Sequence, residues 1–178
     1  MRMFWELAAS SFRRYLRYRV AIVATMVTNC VFGLIRASLL MAAVAGAGGM
    51  IGDYDALQAS SYVWLGQCLV GVVQLWAVSD IARRIKTGDL AVDLLRPVPP
   101  VIGWLAAEYG RAACALLIRV APMLAIGALT TGLVLPEHPG HWLLALVSVV
   151  LAVTLAFQGW LLVNLAALWV VEVRGYLN

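Results

Sequence analysis

The sequence predicts an all-α integral membrane protein, and three observations carry that prediction. Hydrophobic residues make up 63% of the chain and charged residues only 12%, with a mean hydropathy of +0.91, whereas about a quarter of a soluble domain is charged. The apolar residues gather in long runs whose joints are marked by Gly and Pro. The basic residues occupy alternate joints: they cluster ahead of the first run and between the second and third, and are missing from the other two. At roughly 20 apolar residues per crossing, the 178 residues hold four spans and little else. A single membrane domain over 1–178 is expected. The net charge of +4 is carried almost wholly by arginine; it reports membrane topology, and nucleic acid is not expected as a partner.

The elements follow in order. Residues 1–19 interleave Phe4, Trp5, Leu7, Phe12, Tyr15 and Leu16 with Arg2, Arg13, Arg14, Arg17 and Arg19. That mixture predicts an amphipathic helix in the interface plane, rings at headgroup depth and guanidinium groups toward anionic lipid. The first apolar run, 20–45, is longer than the core of a signal peptide and is expected to be span one. After a Gly-rich loop, span two is expected over 57–82. A polar segment at 83–100 follows, then span three at 112–135, the turn PEHPGH, and span four at 142–171. The joint at 46–56 and the turn at 136–141 contain Asp53, Asp55 and Glu137 but no Lys or Arg. Both termini and the 83–100 segment are therefore expected on the cytoplasmic side of the inner (plasma) membrane, and Arg174 agrees.

The polar segment, RRIKTGDLAVDLLRPVPP, is where the chain is expected to touch something other than lipid. Gly88 and Asp89 read as a helix stop and an N-cap. Asp89, Asp93 and Arg96 fall on one side of the helix that follows and Leu90 and Leu94 on another, until Pro97 ends it. A short two-faced helix of this kind suits the docking of a soluble partner.

Polar residues within the runs have two readings each. Arg36 would cost ~2.5–3.5 kcal/mol at the centre of a span; it either snorkels to the interface or lines a substrate cavity. Arg119 reads as a second snorkelling residue. Gln67, Gln74, Gln158 and Asn164 bridge helices by hydrogen bonds or contact substrate. Asp80 and Glu108 are expected to pair with Arg83, Arg84 or Arg111. Trp64, Trp142 and Trp169 lie near span ends, where an aromatic belt is expected. Cys30, Cys68 and Cys114 lie in apolar runs without CxxC spacing and read as buried free thiols. No metal site is assigned to Glu137, His138 and His141, which lack a further ligand.

The run GDLAVDLLRPVPP after a second span, with RRYLRYR before the first and ALWVVEVRG at the end of the fourth, resembles the membrane subunits of type-2 ABC exporters whose ATPase is a separate chain. The resemblance covers essentially the whole sequence. It implies that the amino-terminal helix is an elbow at the membrane surface, and that the loop between spans two and three holds a coupling helix for the ATPase. The residues so implied are Gly88, Asp89, Leu90, Asp93, Leu94, Leu95, Arg96 and Pro97. It also implies a second permease subunit, identical or not, with ATP and Mg bound by the ATPase and no cofactor on this chain. Spans one and two would tilt when the ATPases close, and Arg36, Gln67 and Gln74 would belong to the pathway or to its packing. Such permeases have six spans and this sequence carries four, so it reads as an incomplete one.

The function expected is thus the permease of an ATP-driven exporter for a hydrophobic or amphipathic solute. The chain has no GxxxxGK[ST] and is not expected to be an enzyme itself. A small four-span transporter or a scaffold without an ATPase is the alternative. A proton-coupled exporter would want a carboxylate deep in a span, and a thiol oxidase would want CxxC; neither feature is present.

Overall fold

The computed structural model describes residues 2–17, 19–73 and 80–169. Gln74 and Arg174 lie outside that set. Helices account for all regular structure among the described residues, apart from an isolated antiparallel bridge between Ile51 and Tyr54. They are α1 (Arg2–Leu16), α2 (Arg19–Gly46), α3 (Ala56–Val72), α4 (Asp80–Thr87), α5 (Asp89–Leu94), α6 (Pro100–Ala115), α7 (Ala121–Thr130) and α8 (Pro139–Leu165), with a π-helical turn at Leu116–Val120 joining α6 to α7 and a short 3-10 turn at Ala166–Leu168 after α8. The turn precedes Pro122, which has no N–H to offer the carbonyl one turn back, so the helix changes register there.

Three stretches are long and apolar enough to cross a bilayer: Ile22–Gly46, Pro100–Thr130 and Pro139–Leu165. The expected second span is described over Ala56–Val72, 17 residues or about 25 Å, opened by a capping box in which Asp55 accepts from the Gln58 amide at 2.7 Å. The third crossing begins at Pro100, well before the expected 112. Its charges do not interrupt it, because Arg111 lies one turn from Glu108 and pairs with it inside the protein, Nε to Oε2 at 2.9 Å.

Two small-residue seams set the packing. On α1 the buried Ala8 and Ser11 face Ala107 and Gly110 of α6, and Ser11 Oγ donates to the Ala107 carbonyl at 2.7 Å. A Cβ at Gly110 would overlap the Ala8 carbonyl, so only glycine permits this approach. The second seam surrounds Trp64, which is not in an aromatic belt: it is 0% exposed. Its ring lies against Gly33 of α2 and Gly127 of α7, where an added Cβ would come within 2.9 Å and 2.8 Å of it. Its indole N–H donates to Thr131 Oγ1 at 2.9 Å, which also accepts from Ser60 at 2.7 Å. Polar groups of α3 and α7 thereby satisfy one another in an apolar surrounding, where an unmet donor would be costly.

Arg111 and Arg119 close the end of α3. Arg111 Nη2 donates to the Val72 carbonyl at 2.7 Å and Arg119 Nη1 reaches the Gly71 carbonyl at 3.4 Å. Arg119, expected to snorkel, instead spends a donor on a helix C-terminus, where positive charge is favourable. Cys30, Cys68 and Cys114 are buried and free.

Replacing Trp64 with Ala should destabilise the α2–α3–α7 assembly by about 3–5 kcal/mol, as expected for a deeply buried aromatic. Trp142→Ala, at a side chain 48% exposed, should cost well under half as much. Reversible unfolding of both variants in mixed micelles measures the difference.

Candidate docking segment

The polar segment is a pair of short helices folded about Gly88. That residue adopts φ +81, a left-handed conformation natural to glycine, which turns the chain from α4 into α5. Asp89 is the first residue of α5 and not its N-cap; Gly88 occupies the cap. The Asp89 carboxylate still serves the turn by accepting from Thr87 Oγ1 at 2.7 Å.

The two helices are locked by an ion pair that the sequence reading missed. Arg84 Nε and Nη2 donate to the two carboxylate oxygens of Asp93, at 2.6 and 2.7 Å. The Asp93 side chain is 5% exposed and that of Arg84 is 32% exposed. Arg96 stands 3.6 Å from the same carboxylate. A two-pronged guanidinium–carboxylate contact fixes geometry as well as distance. The signal for it was a base and an acid on either side of a helix-reversing glycine, Arg84 four residues before Gly88 and Asp93 five after it.

With Asp93 turned inward, the apolar residues of α5 face out. Val92 and Leu94 are 58% and 65% exposed and Leu95 is 86% exposed. Leu90 is half-buried, while Arg96 and Pro97 are exposed. The expected polar and apolar sides of this helix are therefore exchanged at Asp93: the carboxylate is covered by its pair with Arg84, while Leu94 and Leu95 stay exposed among the described residues. Contiguous exposed aliphatic side chains outside the membrane-crossing stretches form a surface suited to binding a partner.

The hairpin rests on the rest of the fold at two places. Asn164 of α8 is 1% exposed, and its Oδ1 accepts from the Ala82 amide in the first turn of α4 at 3.1 Å; Ala82 and Ile85 pack with Val163. On the other flank, a hollow of about 340 Å³ separates the hairpin from α1 and the start of α6, with Met3, Leu7, Arg84, Arg96, Pro99 and Trp104 in its wall.

The other predicted residues form a separate group. Arg36 of α2 donates to Gln67 Oε1 at 3.0 Å, and Gln67 Nε2 donates to the Asn29 carbonyl at 3.2 Å. Gln67 is buried and Arg36 exposed, so the arginine gains one amide partner from α3 and keeps an open side. Gln158 is exposed on α8.

A family model described as "ABC-2 family transporter protein" matches residues 22–177. The chain belongs to that family and is a membrane protein of ABC-type transport. No curated protein and no protein of solved structure matched it.

Removing Arg84 should loosen the hairpin without unfolding the spans. A fully buried pair broken on one side costs ~3–5 kcal/mol; here Arg84 is one-third exposed and Arg96 can take its place in part, so on the order of 2 kcal/mol is expected. In Arg84→Ala the amides of 89–95 should exchange with solvent ten- to thirtyfold faster, while those of Trp64 and its neighbours keep the wild-type rate. Mass-spectrometric hydrogen exchange reads both.

Proposed function

We propose that this member of the ABC-2 family is the permease subunit of an ATP-driven exporter, and that its α4–α5 hairpin is the coupling element for a separate ATPase subunit. One observation carries the reading: Val92, Leu94 and Leu95 stand exposed on and just after a helix that the Arg84–Asp93 pair ties to α4. A mechanical coupling needs both properties. The apolar side chains give the ATPase something to grip, and the clamp prevents a push on α5 from being lost as local unfolding.

The path inward is supplied by contacts already on this chain. Displacement of α5 passes to α4 through Arg84, and from α4 to α8 through the Ala82–Asn164 hydrogen bond. It passes to α6 through Pro99 and Pro100, where a chain with fixed φ makes a stiff lead into the helix. A second permease subunit would complete the pathway, and the open side of Arg36 on α2 is where this chain could meet a partner or a polar part of the solute. The basic residues of 2–17 and 83–100 favour the cytoplasmic side for the hairpin and α1, with α1 lying along the interface. A hydrophobic or amphipathic solute suits a chain whose long helices expose mainly aliphatic side chains. ATP and Mg would be bound by the ATPase, since this chain has no phosphate-cradling loop.

Leu95→Asp tests the reading. It puts a carboxylate into an apolar interface, where an unpaired buried charge costs several kcal/mol. Recovery of the coexpressed ATPase with the affinity-purified variant should fall at least tenfold, while Asp55→Ala, in the loop at the other end of α3, should recover as much as the wild type. Equal recovery from both variants at matched membrane levels would show that α5 is not the docking helix.

A further inference from the structure

The C-terminal half of α1 and Arg17 just beyond it carry a charged surface that the coupling role leaves unused. Ser10, Arg13, Arg14 and Arg17 line an open hollow of about 430 Å³, and all four are exposed. Their orientation is set from behind: Ala8 and Ser11 hold the opposite side of α1 on α6, so the helix cannot roll to bury the arginines. Among the described residues none of the three arginines is in an ion pair. Glu6, the acid of α1, is taken by Arg2 at 3.3 Å, and the contact of Arg13 is with its own helix, Nε to the Ala9 carbonyl at 3.3 Å. Three guanidinium groups around one hollow repel one another, and an anion between them relieves that repulsion.

The place of the hollow selects the anion. Arg17 lies five residues before Ile22, where the first membrane-crossing stretch begins, so the hollow opens at the boundary between hydrocarbon and water. Leu16, beside it, is 37% exposed and Trp5, earlier on the same helix, is 70% exposed, leaving apolar surface for acyl chains close to a cationic site. Guanidinium matches the paired oxygens of a phosphodiester, and basic clusters next to a span attract anionic headgroups by about 1 kcal/mol per residue. We propose that the Arg13–Arg14–Arg17 hollow binds the phosphate of an anionic phospholipid. Bound there, the lipid would fix the depth of α1 and, through the α1–α6 seam, the height of the hairpin beside it. The proposal holds whatever partner the hairpin takes.

The test uses the full chain in a neutral detergent, titrated with short-chain phosphatidylglycerol, short-chain phosphatidylcholine and free glycerol phosphate, with binding read by thermophoresis. Phosphatidylglycerol should bind, and its affinity should fall at least tenfold when salt is raised from 50 to 500 mM, as screening requires. Phosphatidylcholine and glycerol phosphate should bind at least tenfold more weakly, because the first lacks net charge and the second lacks acyl chains. Arg13→Gln, Arg14→Gln and Arg17→Gln combined should weaken phosphatidylglycerol binding about a hundredfold. Lys86→Gln, a charge loss outside the hollow, should not change it. If the triple variant does not fold, the single variant Arg17→Gln with the salt series decides. Binding of phosphatidylcholine equal to that of phosphatidylglycerol, salt-independent binding, or undiminished binding by the glutamine variants would each overturn the proposal. Tight binding of glycerol phosphate would show a site for a free anion and overturn the lipid assignment.

Discussion

The contact between Arg84 and Asp93 decides what this protein presents to the water. A carboxylate 5% exposed is tolerable only because both its oxygens are engaged by one guanidinium. Once Asp93 is committed inward, the pitch of a helix dictates the rest: Val92, Leu94 and Leu95 have nowhere to go but out. An exposed aliphatic tip is thus a consequence of a buried charge, and the same pair fastens the tip to α4. Buried ion pairs contribute little net stability compared with apolar packing, and their best-attested use is to specify one arrangement among several. That use fits a hairpin whose direction matters more than its strength.

The clamp would be of little consequence on a mobile base. Its base is built from close backbone approach, which is how helices associate where lipid offers no hydrophobic advantage to burying large side chains. Gly110 brings α1 against α6, and Gly33 and Gly127 close on Trp64 from two sides. Polar atoms inside these seams are paired: Ser11 with the Ala107 carbonyl, Trp64 and Ser60 with Thr131, Asn164 with the amide of Ala82. Tyr109 of α6 meets Thr154 of α8 at 2.6 Å. The arginines of α6 and the π turn then satisfy the last carbonyls of α3. The chain from α1 through α6 to α8, and from α8 to the hairpin, is made of such pairs.

Some of this was legible in the residues. Composition alone set the class, the runs beginning near Val20 and Trp142 became spans, and Gly88 marked the reversal of the polar segment. What could not be read locally depended on a second helix. Trp64 looks like a belt residue by its position in a run, and only the facing glycines of α2 and α7 make it a core residue. The pairing of Glu108 with Arg111, one turn apart on a single helix, was among those expected from the sequence; its consequence, a crossing that starts as early as Pro100, was not. Arg119 looks like a snorkelling cation because the carbonyls it meets belong to α3. Asp93 was assigned to the polar side of α5 on periodicity; its partner lies across the Gly88 turn, where periodicity within one helix has nothing to say. The proposed docking residues were named through the resemblance of GDLAVDLLRPVPP to a family; of these, Leu94 and Leu95 are exposed while Asp93 is buried by its pair with Arg84.

The proposed contact of α5 with an ATPase runs through its outward apolar tip. Photo-crosslinking from single positions in the intact complex measures this directly. A benzophenone side chain placed at Val92, Leu94 or Leu95 should yield an adduct with a nucleotide-binding subunit, and one placed at Asp55 should not. Adducts from α5 with lipid alone, or equal adducts from Asp55, would contradict the account.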